Sequence, residues 1–297
     1  MTTRKDIFRI HRPNRSTAPL VLDSPHSGRD FPDDFGSMLS VERLRSAEDA
    51  WVHELYASAP LHGACLLEAL FPRSYIDPNR AEGDVDLELL DAAWPYPYQP
   101  SGKARLGKAL VWRSLDDGES IYAAPLSVAV VEHRITHYLK PYQQALQELL
   151  DQAHAAHGVV YHLNCHSMDP VGSAMATGVP GKRRADVVLG DRDGTTCASD
   201  FTRHIANFFR SCGYSVAIND PYKGVDLVRM FSAPQHGRHS LQIELNKGLY
   251  LHDGTLQRSA GFPKLQSDLN DLLADLAAYA NRSWQPVKVC RSPAQPS

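Results

Sequence analysis

The sequence predicts an α/β protein, and three features of its 297 residues support this prediction. Short apolar runs that suit buried strands alternate along the chain with longer amphipathic stretches that suit helices. A strand at 109–113, a long helix from Ser127 to about His157 and a strand at 158–161 follow one another, which is the order of a βαβ crossover and predicts parallel pairing. Several predicted strands also end in polar groups, and α/β proteins carry their chemistry at strand ends.

Composition and charge exclude several classes of protein. The formal net charge of -3 argues against a general nucleic-acid binder, which needs clustered Lys and Arg to neutralise phosphates. No apolar run approaches the ~18 residues of a membrane span, and residues 1–6 show no signal-peptide core. The five widely spaced cysteines favour reduced thiols in the cytoplasm over a disulfide framework. We therefore expect a cytoplasmic protein that binds neither nucleic acid nor membrane, and the sequence does not indicate its oligomeric state.

The predicted elements follow one another without an internal repeat or a clear linker. We therefore expect one domain over 1–297, with a polar arm or edge segment at about 1–18 and a tail from about 283. The predicted strands lie at 20–22, 63–70, 109–113, 158–161, 185–190, 214–219 and 240–246. The predicted helices span 40–58 with a possible break near 48–49, 127–157 with a restart at Pro141, 199–212 and 262–280. The long irregular stretch 81–107 is typical of lids and binding loops.

One predicted strand continues into Tyr-His-Leu-Asn-Cys-His-Ser-Met at 161–168. Side chains alternate along a strand, so His162, Asn164 and His166 share one face while Cys165 lies on the other. A thiol nucleophile at Cys165 would need a histidine other than His166, and we interpret Cys165 as a packing residue. His166 at the end of the strand is a better candidate for a metal ligand than the deeper His162.

Two other predicted strands also end in groups that suit metal chemistry. His26 follows the strand at 20–22, within Ser-Pro-His-Ser-Gly. Glu244 shares one face of a late strand with Gln242 and Asn246. Two histidines and one carboxylate that leave a position for water form a standard catalytic zinc set. A further carboxylate such as Glu244 suits a base that takes a proton from that water.

The segment 71–80 reads Phe-Pro-Arg-Ser-Tyr-Ile-Asp-Pro-Asn-Arg and combines two arginines with a turn stiffened by proline. Arg73 and Arg80 suit recognition of carboxylates through planar, two-point hydrogen bonds. A local ion pair between Asp77 and Arg80 that closes the loop explains the same residues without a ligand. The sequence leaves both interpretations open.

Taken together and in order, these pieces resemble the N-formylglutamate amidohydrolase (deformylase) family over roughly residues 20–260. The resemblance rests on Ser-Pro-His-Ser-Gly at 24–28, Glu-Asp-Ala-Trp-Val-His-Glu-Leu at 48–55, Arg-Ser-Tyr-Ile-Asp-Pro-Asn-Arg at 73–80, Asn-Cys-His-Ser-Met at 164–168 and Gln-Ile-Glu-Leu-Asn at 242–246. That family is distantly similar to the zinc carboxypeptidases and the aspartoacylase group. The resemblance therefore implies a three-layer α/β/α fold around a mixed, mostly parallel sheet.

The resemblance also implies one divalent metal, expected to be zinc, although iron, cobalt and manganese suit mixed nitrogen and oxygen ligands as well. It implies His26 and His166 as metal ligands. Arg29 stands where the related His-x-x-Glu pattern has its glutamate. We therefore expect the carboxylate ligand to be Asp49, with Glu48 as the alternative.

The remaining implied roles concern catalysis and substrate binding. Glu244 would be the general base, and Arg73 would polarise the scissile carbonyl or bind a second carboxylate. Asn79 and Arg80 would hold a substrate carboxylate, and Asn246 is a further candidate for substrate binding.

The implied reaction is hydrolysis of N-formyl-L-glutamate to formate and L-glutamate by a metal-activated water, a step of histidine degradation. One alternative is another metal-dependent amidohydrolase of N-acyl amino acids, because pocket size rather than the metal site selects the acyl group. A different class is a non-catalytic binder of acidic amino acids, but such a binder has no need of a base at Glu244.

Overall fold

The computed structural model describes residues 6–14, 16–172 and 179–283, and its strands form one central sheet. The strands are β1 Phe8–His11, β2 Leu20–Ser24, β3 Cys65–Ala69, β4 Val160–Met168, β5 Val187–Gly190, β6 Val216–Ile218 and β7 Arg238–Asn246. Their order across the sheet is β1-β3-β2-β4-β7-β5-β6. Neighbours pair in parallel except β1 with β3 and β5 with β7. The predicted mixed, mostly parallel sheet is confirmed.

Helices cover both faces of this sheet. They are α1 Val41–Leu44, α2 Val52–Leu55, α3 Val128–Arg134, α4 Lys140–His157, α5 Ser199–Ser211, α6 Asp226–Met230 and α7 Phe262–Ser283. Residues of α2, α5 and α7 build one apolar core, and residues of α3 and α4 build the other. Alternation along β2 places Leu20 and Leu22 in the first core and Val21 in the second. These layers confirm the predicted α/β/α architecture.

The predicted strand at 109–113 is wrong. These residues form bends, with one isolated antiparallel bridge between Lys108 and Trp112. The run is apolar because Leu110, Val111 and Trp112 are buried in the second core, and not because it pairs in the sheet. The parallel partners of β4 are β2 and β7, so the crossover predicted from 109–113 is wrong as well.

The two predicted helix interruptions have separate physical causes. In place of one helix at 40–58 the chain forms α1, a short 3₁₀ turn and α2. Trp51, just before α2, has φ +66°, a left-handed conformation that ends a right-handed helix. The long helix is interrupted by a π-helical segment, Ile135–Leu139, and restarts at Lys140, one residue before the predicted Pro141. The expected tail beyond Ser283 lies outside the described residues.

In the described part of the chain, no helix has both the length and the apolar character that crossing a membrane requires.

Arg134 on α3 is a fully buried arginine that anchors three loops to this helix. Its guanidinium donates hydrogen bonds to the carbonyl oxygens of Phe35 and Tyr75, each at 2.9 Å, and to the hydroxyl of Tyr122 at 2.6 Å. The guanidinium carbon also lies 4.0 Å from the centre of the Tyr75 ring. Because Tyr75 belongs to the segment 71–80, Arg134 fixes the position of a predicted functional segment from behind.

Replacing Arg134 with methionine is expected to lower the free energy of unfolding by about 2–5 kcal/mol, because it leaves three buried acceptors without a donor. Urea unfolding followed by circular dichroism measures this change. Arg210→Met, at an exposed position of α5, is the matched control and should change stability by no more than ~0.5 kcal/mol. Equal unfolding midpoints for the two variants would show that Arg134 does not anchor these loops.

Candidate active site

The candidate site lies at the carboxyl edge of the central strands, where several loops meet. The register of β4 and β7 places His166 directly beside Glu244, and His26 follows the end of β2. The backbone N–H of Asp49 donates to the carbonyl oxygen of His26 at 3.0 Å, which holds the 48–49 loop over β2. At Gly28 a Cβ would lie 2.1 Å from the carbonyl oxygen of Phe71, so only glycine allows these two loops to approach.

Three buried side chains at this edge converge on one point. The nearest ligand atoms of His26, Asp49 and His166 all lie within 4.8 Å of one another. Oδ2 of Asp49 is 3.3 Å from Nδ1 of His26 and 3.0 Å from Nδ1 of His166. The other ring nitrogens point away from this point: Nε2 of His26 is 2.7 Å from Oδ1 of Asp77, and Nε2 of His166 is 2.7 Å from Oδ1 of Asn164.

These contacts are compatible with the ring form that binds a metal. Asp77 and Asn164 offer an acceptor oxygen 2.7 Å from each Nε2, so each Nε2 can carry the proton while Nδ1 presents its lone pair to a cation. In the absence of a cation, the same Nδ1 atoms lie close enough to donate to the Asp49 carboxylate. An oxygen partner on the far nitrogen is also the usual support of a histidine that binds a metal. The residues therefore fit one divalent metal ion.

The pKa shifts of Asp49 and His166 also favour metal binding. Burial alone would raise the pKa of Asp49, but hydrogen bonds from His166 and His26 and the charge of Arg73 hold it well below its usual value. Burial and the neighbouring His26 lower the pKa of His166. At neutral pH the carboxylate is therefore ionised and the His166 imidazole neutral, which are the forms that bind metals.

The structure distinguishes Asp49 from Glu48, the alternative carboxylate. Glu48 turns away from the histidines and forms ion pairs with Arg29 at 3.0 Å and Arg45 at 2.9 Å. The Arg29 guanidinium in turn lies 3.9 Å from the centre of the Trp51 ring. The geometry thus brings Asp49, and not Glu48, into the cluster.

Glu244 lies beside the cluster in a buried environment. Its Oε1 accepts a hydrogen bond from Nε2 of Gln242 at 2.7 Å. Burial and the negative charge of Asp49 raise its pKa well above the ordinary value, although Arg73 and Arg184 oppose this shift. A carboxyl group with a raised pKa next to a candidate metal site is suited to exchange protons during a reaction.

The two predicted arginines are both present at the site and both paired with carboxylates. Arg73 Nη2 is 3.0 Å from Oδ2 of Asp77, and its Nη1 is 3.6 Å from Oδ1 of Asp49. Arg80 Nε is 3.8 Å from Oδ2 of Asp77 and 3.9 Å from Oδ2 of Asp84. The local ion pair between Asp77 and Arg80 is therefore real, yet both arginines also line the cavity above the cluster.

The two predicted asparagines are engaged within the protein. Asn79 accepts a hydrogen bond from the backbone N–H of Leu227 at 3.0 Å, and its amide nitrogen lies 3.1 Å from Nε2 of His166. Asn246 accepts from the N–H of Gly248 at 3.0 Å and donates to the carbonyl of Ala185 at 3.3 Å. Asn79 lines the cavity and Asn246 is not among its lining residues. Substrate binding by either stays a prediction.

A cavity of about 450 Å³ opens above the cluster, and its lining includes residues that the sequence did not single out. These residues are Lys103, Lys108, Trp112, Arg184, Tyr222, Lys223 and Lys247. Lys103 comes from the predicted loop 81–107, which Asp84 ties down through hydrogen bonds from the N–H and hydroxyl of Ser101 at 2.7 and 2.9 Å. The loop therefore contributes to the wall of the cavity, and its closure over substrate stays a prediction.

Comparisons with known proteins point to one family. A model of the N-formylglutamate amidohydrolase family matches residues 18–251. An N-formylglutamate deformylase of Pseudomonas putida is 26% identical over 275 residues, which cover 90% of this chain and 95% of that protein. A crystal structure of N-formylglutamate amidohydrolase from Ralstonia eutropha JMP134 superposes with a TM-score of 0.88 at 43% identity, over 94% of this chain and 99% of that one. A gene product of Agrobacterium tumefaciens shares the fold, with a TM-score of 0.67 at 17% identity over 94% of this chain and 96% of that one.

Replacing Glu244 with glutamine is expected to stabilise the metal-free protein at neutral and alkaline pH. Because the folded pKa of Glu244 lies above its ordinary value of 4.5, the wild type loses stability as the pH rises from 4.5 through that folded pKa, and glutamine does not. The melting temperature of E244Q should exceed that of the wild type by ~2–4 °C for each kcal/mol gained in the free energy of unfolding. This gap in melting temperature should grow from pH 5 to pH 8.

Differential scanning fluorimetry with a chelator present measures this gap. Glu148→Gln, an exposed position of α4, is the control and should show no gap that depends on pH. A gap between E244Q and the wild type that stays constant with pH would contradict the proposed electrostatic environment.

Proposed function

Because the chain belongs to the N-formylglutamate amidohydrolase family and is a hydrolase of linear amides, we propose that it hydrolyses N-formyl-L-glutamate to formate and L-glutamate. In this proposal one divalent metal, expected to be zinc, is bound by His26, Asp49 and His166. The observation that carries the proposal is the convergence of two imidazole Nδ1 atoms and one carboxylate beside Glu244 in a buried, basic cavity. A divalent cation bound there supplies a Lewis acid that makes water more acidic and polarises the formyl carbonyl.

Glu244 acts as the base in this proposal. It accepts a proton from the water that attacks the formyl carbon, and it then donates this proton to the amide nitrogen as the C–N bond breaks. The products are formate and the free amino group of glutamate. The raised pKa of Glu244 supports this role, because a group that takes a proton and returns it works best with a pKa near the operating pH.

Arg73 stabilises the negative charge that develops on the formyl oxygen. Asp77 and Asp49 hold its guanidinium at 3.0 and 3.6 Å, so its position beside the cluster is set before substrate binds. A donor that is already oriented toward developing charge contributes more than one that must reorganise. Arg80, with Asn79 next to it, lies in the same wall and suits one carboxylate of the substrate.

We further propose that the enzyme works in the cytoplasm, in the glutamate-yielding step of histidine degradation. The free thiols of Cys65, Cys165, Cys197 and Cys212 support a reducing compartment. A metal-dependent amidohydrolase of other N-acyl amino acids is the alternative, and a non-catalytic binder is disfavoured by the buried Glu244.

Formate release from N-formyl-L-glutamate, compared with acetate and succinate release from the N-acetyl and N-succinyl analogues, tests the proposed function. A chelator should abolish turnover and added metal should restore it. E244Q should lower kcat by about 10²–10⁴-fold and keep its metal content, because it removes the base and no ligand. Glu148→Gln should match the wild type. Full turnover by E244Q would refute the mechanism, and metal-supplemented protein without bound metal would refute the site.

Asp77→Asn is expected to weaken metal binding by about 10–100-fold, because Asp77 accepts the hydrogen bond from Nε2 of His26 and thereby orients this ligand. Competition with a chromophoric chelator measures the dissociation constant without any assay of activity. Asp86→Asn is the matched control, since Asp86 is also buried and paired, in its case with Arg113 at 2.8 Å. Unchanged affinity in D77N would mean that His26 does not depend on Asp77.

A further inference from the structure

Five of the seven cationic side chains that line the cavity are already neutralised by carboxylates of the protein. The pairs are Arg73 with Asp77 and Asp49, Arg80 with Asp77 and Asp84, Lys108 with Asp116, Lys223 with Asp193, and Lys247 with Asp169. Among the residues that the structure describes, the other two, Arg184 and Lys103, form no ion pair. A buried or half-buried cation without a partner is costly, so these two positions are the ones where an anionic ligand gains most.

Hydrogen bonds hold Arg184 in place, and one of its guanidinium nitrogens makes none with the described residues. Its backbone N–H donates to the carbonyl of Pro170 at 2.9 Å, and its Nη1 donates to the carbonyl of Asp169 at 2.8 Å. Its guanidinium carbon lies 5.2 Å from the centre of the Tyr222 ring. Its Nη2 is buried and makes no hydrogen bond within the described part of the chain. A fixed guanidinium in a cavity wall, with one donor unused by the described residues, is suited to bind a carboxylate.

Lys103 lies in the wall that also carries Arg80. Its neighbours include the cations Arg80, Lys108 and Arg73, and burial together with these like charges lowers its pKa to about 8. Lys103 thus adds a positive charge, without an ion-pair partner among the described residues, next to Arg80. Arg80 is the residue that binds one substrate carboxylate in the proposed function. The two unpaired cations match the two negative charges of an N-acyl dicarboxylic amino acid.

We propose that Arg184 binds the side-chain carboxylate of the substrate and determines the preference for dicarboxylic substrates, while Lys103 assists Arg80 at the α-carboxylate. This inference rests on the proposed function and adds the residue that selects its substrate class. A neutral side chain in place of the carboxylate leaves the half-buried Arg184 unpaired, which discriminates against that substrate.

The test compares kcat/KM for N-formyl-L-glutamate with kcat/KM for N-formyl-L-glutamine, which differ in this carboxylate alone. Wild-type enzyme should prefer the glutamate derivative by about 100-fold or more. Arg184→Gln should lose most of this preference, with turnover of the glutamine derivative changed far less. The test uses the ratio of the two kcat/KM values because Arg184 also lowers the pKa of Glu244. A loss of that effect would change turnover of both substrates alike and leave the ratio unchanged.

Three further variants make the test specific. Arg184→Lys keeps the charge and should retain part of the preference, which covers the case in which the glutamine variant folds poorly. Lys103→Met should raise KM for both substrates, since both carry the α-carboxylate, and leave the preference unchanged. Lys182→Gln removes a nearby exposed cation that is paired with Asp220 at 3.4 Å, and should match the wild type.

If Arg184→Gln slows both substrates by the same factor, Arg184 acts through Glu244 or through the fold, and the inference is wrong. Calorimetric binding of L-glutamate and L-glutamine to both proteins provides a readout that does not depend on turnover. The wild type should bind L-glutamate more tightly than Arg184→Gln does, and equal binding would overturn the inference. Wild-type enzyme that fails to release formate would instead refute the proposed function, while the binding comparison would still decide the role of Arg184.

Discussion

The contact of the Asp49 carboxylate with two histidine Nδ1 atoms is the constraint on which the rest of the site depends. A buried carboxylate needs a positive partner, and a cation shared with the two Nδ1 atoms supplies one. The neighbouring residues are arranged so that this constraint holds: Asp77 and Asn164 accept the protons of the outer ring nitrogens, which leaves the inner nitrogens free to bind a metal. The metal site is therefore specified as much by the residues behind the histidines as by the histidines themselves.

This support continues below the site into the sheet. Nδ2 of Asn164 donates to Oδ1 of Asp23 at 2.8 Å, and this orients the Asn164 oxygen toward His166. Asp23 is completely buried and is also contacted by His162 at 2.9 Å and by the hydroxyl of Tyr142 at 2.9 Å. Burial raises the pKa of Asp23, but the hydrogen bond and charge of His162 and the hydrogen bond from Asn164 hold this pKa below its usual value. A rigid network of this kind keeps the ligands in place before metal or substrate binds.

Sequence reasoning located the groups that follow simple strand rules. His26, His166 and Glu244 end parallel strands, so all three meet at one edge of the sheet. The choice between Asp49 and Glu48 depends on contacts that an apolar pattern does not show: the Asp49 N–H bonds to the His26 carbonyl, whereas Glu48 pairs with Arg29 and Arg45.

Other residues escaped sequence reasoning for physical reasons that can be stated. Arg184 precedes its strand, and it reaches the site because β5 runs antiparallel to β7, which a search of strand ends does not consider. Lys103 lies in an irregular loop whose path is set by hydrogen bonds between Asp84 and Ser101. The strand predicted at 109–113 is wrong because a buried loop and a buried strand can have the same apolar composition.

The most direct test of the central claim is a crystal structure of the metal-loaded protein with anomalous scattering data collected at the absorption edge of the metal. We expect one metal ion about 2.0–2.2 Å from Nδ1 of His26, Nδ1 of His166 and a carboxylate oxygen of Asp49, with both Nε2 atoms still hydrogen-bonded to Asp77 and Asn164. A metal bound through Nε2, or bound away from these three side chains, would contradict it.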